Sequence, residues 1–361
     1  MSAILLLKDK EGKNMDGNRN TQKLNKAFLF AFALIASVFF VPVSAGVVEL
    51  WNTSYDGGYE DVAIGLATDS SDNIIVTGVS SDGSTENYYT IKYDSNGNEI
   101  WNKSYDGGYE DVAIGLATDS SDNIIVTGGS SDGSTENYYT IKYDSNGNEI
   151  WNTSYDGGDL DRAVGVATDS SDNIIVTGGS SDGSTENYYT IKYDSDGNEL
   201  WNTSYDGGDW DEAYGVATDS SDNIIVTGIS LLNERILNYY TIKYDSDGNE
   251  LWNASYDGGD WGEAYGVATD SSDNIIVTGV SSDGSTDNYC TVKYDSDGNE
   301  IWNTSYDGGL GDMATSVATD STDNIIVTGA CYDFITYYNY CTVKYDSDGN
   351  ELWNTSYDGG D

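Results

Sequence analysis

Residues Asn87–Gly108 read NYYTIKYDSNGNEIWNKSYDGG, and this stretch decides the fold. Two runs rich in Tyr, Ile, Thr and Trp flank the polar segment Asp94–Asn98. Asn-Gly between two β-prone runs is the strongest short-range signal for a β-hairpin. The stretch therefore predicts two antiparallel strands joined by a tight turn at Asn96-Gly97.

The same hairpin recurs along the chain at a spacing of about fifty residues. Each repeat unit opens with Trp-Asn, and the seven openings are Trp51, Trp101, Trp151, Trp201, Trp252, Trp302 and Trp353. Six full units start at the first six positions, and a partial unit covers 353–361. Units one and two differ only at Thr53/Lys103 and Val79/Gly129. Copies this similar favour a function of the whole array over one specialised pocket.

Four strands, named a to d in chain order, are predicted in the first unit: Val62–Thr68, Ile74–Gly78, Tyr88–Tyr93 and Glu99–Tyr105. No stretch after Trp51 places apolar residues at helical spacing over a helical length. Four short strands per unit of this length are typical of a β-propeller blade. We therefore predict an all-β chain that forms a β-propeller of four-stranded antiparallel blades.

The number of strands bears on the number of blades. Strand d occurs seven times, counting the segment at Trp51, whereas the set a–b–c occurs six times. The sequence therefore predicts six blades, and seven if the chain is a truncation that ends early at Asp361.

The N-terminal 45 residues differ from the repeats. Arg19, Lys23 and Lys26 precede an uninterrupted apolar run, Ala27–Val41, which is followed by the small residues Ser44 and Ala45. This order is that of a secretory signal peptide with cleavage after Ala45. A retained anchor is the alternative, but the run is shorter than the roughly 20 residues that a membrane span needs. We predict a signal peptide and extension over 1–45, a repeat domain over 46–361, no membrane span after cleavage, and a secreted or cell-surface location.

The repeat domain is strongly acidic. Six of the 15 Lys+Arg and three of the 62 Asp+Glu precede residue 46, so the rest of the chain carries 9 basic and 59 acidic residues, a net charge of −50. Nucleic acid is excluded as a partner because its affinity depends on basic contacts to phosphate. The acidity agrees with solubility in salty surroundings, and binding of multivalent cations is the alternative.

The motif ATDSSDNIIVTG followed by NYYTIKYDSNGNEIWN resembles the SBBP-type β-propeller repeat of secreted bacterial and archaeal proteins. The resemblance extends from Val48 to the end of the chain. It implies a propeller on an exported, often cell-surface, protein, and it supplies no catalytic residues. The seven blades usual for such propellers are not reached here.

Acidic turns between strands c and d are the candidate metal site. From the third unit onward this turn reads DSDGNE, with Asp194, Asp196, Asn198 and Glu199 as its oxygen donors. Alternating acids closed by Gly resemble part of a calcium loop, although the full EF-hand spacing is missing. Asp, Asn and Gly are also the residues that a hairpin turn needs for its own backbone. The structural interpretation is favoured, so the prediction is no cofactor, with Ca²⁺ as the alternative.

Ligand contacts are expected on the other side of the propeller, where the repeat becomes irregular. The b–c loop carries Leu232 and Arg235 in unit four, and Tyr332 and Phe334 in unit six. The d–a connectors add Trp210 and Trp261. Exposed apolar residues of this kind can mark a contact site. Relaxed selection on redundant copies is the alternative explanation.

Strand d also carries a repeated Asn-x-Ser sequon, an acceptor for N-glycosylation in exported proteins. The candidate residues are Asn52, Asn102, Asn152, Asn202, Asn253, Asn303 and Asn354. Duplication of one tripeptide explains them equally well.

Of the three cysteines, Cys331 and Cys341 could pair across a hairpin, which leaves Cys290 over.

The residue inventory argues against an enzyme. The chain has no histidine, which excludes a Ser-His-Asp triad, a Cys-His pair and an HExxH zinc site. A carboxylate pair for glycoside cleavage could be drawn almost anywhere among so many acids, so no pair stands out. We predict an exported structural or adhesive propeller that contacts protein or cell-surface matrix. The alternative is a binding module for divalent cations or carbohydrate.

Overall fold

A computed structural model of the chain describes residues 51–208, 210–232, 236–333 and 337–357. The predicted signal peptide and extension over 1–45 lie outside these residues. The chain divides after Ser54 into two units, and the described part of the first, 51–54, forms no strand. Within the described ranges, no helix is long and apolar enough to cross a membrane.

The second unit contains 24 β-strands, which follow the repeat. Strands a are β1 (Asp61–Thr68), β5 (Asp111–Thr118), β9 (Asp161–Thr168), β13 (Asp211–Thr218), β17 (Trp261–Thr269) and β21 (Gly311–Thr319). Strands b are β2 (Ile74–Ser81), β6 (Ile124–Ser131), β10 (Ile174–Ser181), β14 (Ile224–Leu232), β18 (Ile275–Ser282) and β22 (Ile325–Asp333). Strands c are β3 (Glu86–Tyr93), β7 (Glu136–Tyr143), β11 (Glu186–Tyr193), β15 (Ile236–Tyr244), β19 (Asp287–Tyr294) and β23 (Tyr337–Tyr345). Strands d are β4 (Glu99–Tyr105), β8 (Glu149–Tyr155), β12 (Glu199–Tyr205), β16 (Glu250–Tyr256), β20 (Glu300–Tyr306) and β24 (Glu351–Tyr357).

Each set a–b–c–d pairs in chain order as an antiparallel meander. A single parallel bridge between Asp287 and Gly311 links the last two sheets. The six meanders are the blades of a β-propeller, so the predicted all-β fold and its four-stranded blades are confirmed. Neighbouring strands a contact each other from blade to blade, which places them at the inner side of the array.

The register between strands a and b shifts at one place in every blade, between Ala63 and Gly65 in the first. Gly78 lies opposite this bulge, and a Cβ on it would be 2.0 Å from the carbonyl oxygen of Val62. The backbones approach too closely there for any side chain. The glycine of the IIVTG motif is therefore required by the bulge.

Two predictions about strand limits are wrong. Strand b extends to Ser81 and strand c starts at Glu86, so the b–c loop is shorter than the expected polar segment 80–86. The segment at Trp51, counted as a seventh strand d, is not a strand. Every strand d pairs with the strand c that precedes it in the chain, and the sequence before Trp51 contains no strand-c motif.

The core lies between consecutive blades, because each sheet is apolar on both faces. In the first joint, Ile75 and Tyr88 of blade one pack against Ala113, Ile124 and Val126 of blade two. We call the face of a blade that meets the next blade its trailing face, and the face that meets the preceding blade its leading face. The same joint recurs between every consecutive pair of blades.

The first and last blades each keep one face uncovered. On the leading face of blade one, Leu66 is 49% exposed, and on the trailing face of blade six, Tyr340 is 42% exposed. Among the described residues, no extensive contact joins the first sheet to the last. Six blades are present, and their two end faces are open.

Candidate interaction rim

The d–a connectors and the b–c loops lie at the same ends of the strands, which we call the connector side. In five of the six connectors, a glycine N–H donates a hydrogen bond to an aspartate at the start of strand a; the connector into blade five has Gly262 at that position instead. Gly107 N donates to Asp111 Oδ2 at 2.5 Å, and the next residue, Gly108, has a φ of +107°. Burial raises the pKa of the Asp111 carboxyl above its usual range.

Every connector carries a large apolar residue, either directly after its Gly-Gly pair or one residue later. The six residues are Tyr59, Tyr109, Leu160, Trp210, Trp261 and Leu310, and we call them the apolar rim. Trp261 is half-buried, whereas the exposed fractions of the others run from 40% at Trp210 and Leu310 to 66% at Tyr59. Single exposed apolar residues are common on proteins, but one per blade on the same side forms a patterned surface.

The b–c loop supports the rim in the first two blades. The ring of Tyr59 lies over Gly83, where a Cβ would be 2.5 Å from the nearest ring carbon. Tyr109 lies over Gly133 in the same way. Both glycines have positive φ, of 88° and 86°, so the loop needs glycine for its backbone as well as for this contact.

A charged cluster lies at the same side, formed by residues at the starts of strands a and c. Arg162 binds Glu136 through two hydrogen bonds, Nε to Oε1 at 2.6 Å and Nη2 to Oε2 at 2.8 Å. A Cβ at Gly129 would lie 2.0 Å from Glu136 Oε1, so the glycine makes room for this carboxylate. Unit one carries Val79 at the same position. One of the two differences between the first units thus lies beside this ion pair.

The next blades add more carboxylates to the cluster. Tyr214 donates a hydrogen bond to Glu212 Oε2 at 3.0 Å, and Tyr265 donates to Glu263. Burial, and then the charge of Glu186, raise the pKa of Glu212 to about 7. Burial also raises the pKa of Glu186. The cluster can therefore hold a proton near neutral pH, a property that sequence reasoning missed because the carboxylates come from different units.

The predicted contact residues are only partly brought together. Trp210 and Trp261 belong to the apolar rim, and Leu231 N donates to the carbonyl oxygen of Trp210 at 2.9 Å. Leu232 ends β14, and Tyr332 in β22 is half-buried with its ring 5.1 Å from that of Tyr338. Two other candidates, Arg235 and Phe334, lie outside the described residues. The rim residues Tyr59, Tyr109, Leu160 and Leu310 were missed, although each is the first or second residue after a Gly-Gly pair.

The candidate metal donors are engaged in their own turn. Asp194 Oδ1 accepts hydrogen bonds from the backbone N–H groups of Asp196 at 3.0 Å and Asn198 at 2.8 Å. Its Oδ2 accepts from the Asn198 side chain at 2.9 Å, and Glu199 accepts from Asn202 at 2.6 Å. These hydrogen bonds lower the pKa of Asp194. The part of the chain that the structure describes contains no group of three or more His, Cys, Asp or Glu side chains arranged for a metal.

Six of the seven sequon asparagines lie on the exposed face of a strand d, whereas Asn52 is exposed in a segment that forms no strand. Asn102 is exposed, whereas Trp101 on the opposite face is half-buried and donates its indole N–H to the carbonyl oxygen of Ser145 at 3.2 Å. The Trp101 ring packs on Gly147 of the next blade, where a Cβ would be 2.9 Å away. The repeated tryptophans therefore join blades, and the asparagines remain accessible.

Sequence reasoning also missed a Lys–Asp ion pair in each blade, which is buried in the first five blades and more exposed in the sixth. Lys92 Nζ lies 2.8 Å from Asp69 Oδ2 and donates to the carbonyl oxygen of Ser145 in the next blade at 3.1 Å. Lysine at this position of strand c accounts for six of the nine basic residues after residue 45: Lys92, Lys142, Lys192, Lys243, Lys293 and Lys344. A lysine at the same position of every strand c, in a chain with so few basic residues, indicates a structural role for that lysine.

Comparison with protein-family models gives no match, and comparison with curated proteins gives no significant similarity. Solved structures are similar in fold. Sqt1 from Chaetomium thermophilum is 12% identical with a TM-score of 0.51, over 82% of this chain and 72% of Sqt1. The same protein bound to the N-terminus of the ribosomal protein L10 is 10% identical with a TM-score of 0.50, over 82% and 75%. Sqt1 is a β-propeller, and at these identities the likeness concerns the fold alone. Geometry and comparison agree that the repeat domain is a β-propeller.

Proposed function

We propose that this chain is an exported, acidic β-propeller that works by binding a protein or cell-surface matrix partner on its connector side. The observation that carries the proposal is the apolar rim, a large apolar side chain on the same connector of every blade. Aromatic residues at a protein surface supply much contact area with few rotatable bonds, which favours their use at interfaces. A partner that spans several blades would contact several rim residues at once.

The charge of the propeller defines the partner further. With a net charge of −50 after residue 45, association is favoured for basic partner surfaces and is weakened by added salt. The carboxylates Glu186, Glu212 and Glu263 lie beside the rim, so a basic side chain next to an apolar one would complement this side. Sqt1, with a similar fold, is known in complex with a peptide segment, the N-terminus of ribosomal protein L10.

Three features support export. The sequence of 1–45 has the order of a signal peptide. The disulfide expected between Cys331 and Cys341 joins β22 to β23, with the Cα atoms 5.8 Å apart. Structural disulfides persist mainly in oxidising compartments. The SBBP-type resemblance of the repeats points the same way, and the exposed sequon asparagines would then be available for glycosylation.

The proposal is binding without catalysis. The sequence has no histidine, and after residue 45 its only arginines are Arg162 and Arg235. The Arg162 guanidinium is already bound by Glu136. The carboxylates of the cluster come from positions that vary between units, as expected for a surface that recognises a partner.

A photo-crosslinking experiment tests the proposal. A photoreactive amino acid replaces Trp210 on the rim, and in the control it replaces Ile150, which is 50% exposed but lies on strand d. The purified protein is added to intact cells of its source, irradiated and analysed by mass spectrometry. We expect one dominant adduct from position 210 and none from position 150. Equal labelling from both positions would count against a partner on the connector side.

Carbohydrate is the second candidate ligand, and one observation favours it. Trp210 is exposed and pairs with Glu186 through a parallel β-bridge, so an aromatic side chain lies beside a carboxylate. Trp presents an apolar face with a polar edge, which suits stacking against a sugar ring. A glycan array probed with the native protein and with Trp210→Ala separates the two ligand classes, since only sugar binding would give signals that this substitution removes.

A further inference from the structure

The joints between consecutive blades share one set of polar contacts. In the first joint, Tyr88 donates its O–H to the carbonyl oxygen of Tyr139 at 3.1 Å. Ser70 donates its backbone N–H and its hydroxyl to the carboxylate of Asp122, at 2.8 and 2.7 Å. Asp122 has a φ of +61°, and the other blades have aspartate with positive φ at the same place. Equivalent tyrosine and serine bonds occur at each later joint.

The trailing face of blade six has the same residues but no blade against it. Tyr340 is 42% exposed, while the tyrosines at its position in the five preceding blades are at most 2% exposed. Trp353 and Tyr357 on β24 are 45% and 44% exposed. Ile326 is half-buried, whereas the isoleucine at its position is fully buried in every other blade.

The leading face of blade one is the complementary half of such a joint. Leu66, whose equivalent Leu116 packs in the first joint, is 49% exposed. Ile74 and Val76 are half-buried, whereas their equivalents in blade two, Ile124 and Val126, are fully buried. The two end faces together thus contain one complete blade joint, divided between the two ends of the repeat domain.

Neither end face has been made polar. Repeat arrays usually protect their terminal units by capping repeats with a polar outer face. Here strand a of unit one, VAIGLAT, is identical to strand a of unit two, which is covered. The two end faces therefore carry the same kinds of residue as the faces that are covered in the joints between blades.

We propose that a second copy of this chain covers these faces: the trailing face of blade six in one copy packs on the leading face of blade one in the next. Tyr340 then donates to the carbonyl oxygen of Tyr89, and Ser321 donates to Asp72, whose φ of +60° matches that of Asp122. The joint is heterologous, so copies associate head to tail. This goes beyond the proposed function, since it concerns the end faces and not the connector side.

A tyrosine at the N-terminal end of the repeat domain already contacts the leading face of blade one. Tyr55 stacks on Tyr89 at 4.4 Å, just as strand-d Tyr105 stacks on Tyr139 at 4.2 Å. Residues 49–58 and 351–360 have the same sequence, ELWNTSYDGG. The place that Tyr357 of an incoming copy requires is therefore held by Tyr55, and one of these two tyrosines serves the joint while the other is released.

Charge opposes this association at low salt, because each repeat domain carries −50. The experiment therefore measures mass by analytical ultracentrifugation of the full chain at 0.1 and 1 M NaCl. We expect oligomers that grow with protein concentration at 1 M NaCl. Tyr340→Glu and Leu66→Glu place a charge on the trailing and the leading face, and each alone should be monomeric. The control Ile150→Glu, at a position 50% exposed on strand d, should behave as the native chain.

Mixing the two face variants gives the sharpest result. Each retains one intact half of the joint, so an equimolar mixture of Tyr340→Glu and Leu66→Glu should form a heterodimer and no larger species. A mixture that stays monomeric, or a native chain that is monomeric at every concentration and salt, overturns the proposal. Circular dichroism of each variant verifies that it is folded.

A double cysteine variant gives a reading that does not depend on charged substitutions. Ser271 and Asp323 are in contact across the last internal joint, with Ser271 N 3.0 Å from Asp323 Oδ1. Ser321→Cys with Asp72→Cys places thiols at the equivalent positions of the two end faces. Oxidation should give disulfide-linked multimers on a denaturing gel. A crosslink confined to single chains would show that the end faces close on each other, and would refute association between copies.

Discussion

Lys92 Nζ lies 2.8 Å from Asp69 Oδ2, and the two side chains are only 4% and 2% exposed. The same pair in the last blade, Lys344 with Asp320, is 20% and 26% exposed, because no further blade covers it. One ion pair is thus present in a buried form and in a more accessible form within a single chain. This comparison separates the effect of burial from the effect of the residues themselves.

Lys142→Met should destabilise the protein by about 3–5 kcal/mol, because it leaves the Asp119 carboxylate buried without its cation. Lys344→Met makes the same chemical change where water reaches the pair, and should cost about 1 kcal/mol or less. Urea denaturation of both variants measures the difference. Equal losses would mean that covering by the next blade does not govern the strength of the pair.

Trp101→Ala should lower the free energy of unfolding by about 2–4 kcal/mol, below the upper range for a fully buried Trp. The substitution removes the packing on Gly147 and the hydrogen bond to Ser145. Trp353→Ala is the matched control, since this tryptophan is 45% exposed on the uncovered trailing face. Its cost under conditions that keep the protein monomeric should be below about 1 kcal/mol. A reversed order of the two variants in thermal unfolding would contradict the assignment of these tryptophans to blade joints.

Glu212 should make the protein less stable as the pH rises from about 4.5 to about 7. Its pKa is raised from 4.5 to about 7 in the folded chain, so the folded state binds more protons than the unfolded state in this window. The loss across the window should be about 2–3 kcal/mol. Glu212→Gln removes this titration and should flatten the curve, whereas the exposed control Glu110→Gln should not. Parallel curves for native protein and Glu212→Gln would show that Glu212 does not titrate there.

The paired aspartates have the opposite pH dependence. Burial favours protonation of Asp119, but hydrogen bonds from Asn123 and the ion pair with Lys142 outweigh it and lower the pKa. Stability from such groups is present above the usual pKa near 4 and is lost as the pH falls through the lowered value. Acid unfolding of Lys142→Met should therefore depend less steeply on pH below 4 than that of the native chain. An unchanged slope would argue against the pair as its cause.

Calcium and sodium should raise the melting temperature equally at matched ionic strength. The turn carboxylates already accept hydrogen bonds from their own backbone, so screening of the acidic surface is the expected effect of either salt. Differential scanning fluorimetry in both salts measures it. A larger rise in calcium that Asp196→Asn abolishes would instead establish the c–d turn as a cation site.

The hairpin of Asn87–Gly108 predicted strands c and d well because its turn residues and β-prone runs act locally. The buried Lys92–Asp69 pair could not be placed from periodicity, since its partners lie on different strands and a third contact comes from the next blade. The place of Glu212 in a cluster of carboxylates could not be predicted from the sequence either. Its surroundings come from two other units, and no spacing within one unit indicates them.

The limits of strands b and c show how a pattern can mislead. Ser80, Ser81 and Glu86 are polar and read as loop, but they pair across the sheet as Ser80↔Asn87 and Ser81↔Glu86. Backbone pairing continues there without apolar side chains, because this end of the blade faces solvent. The bulge opposite Gly78 was not predicted from the sequence either, although this glycine recurs in every unit.

The bond between Ser70 and Asp122 has a consequence for the history of the gene. Donor and acceptor come from the same motif, DSSDN, read in two successive units. Unequal recombination between two copies of the repeat would insert or delete one blade in frame. Each pair of blades brought together in this way would already contain the serine donor and the aspartate acceptor of this bond. The number of blades could therefore change among descendants of this gene without any compensating point mutation.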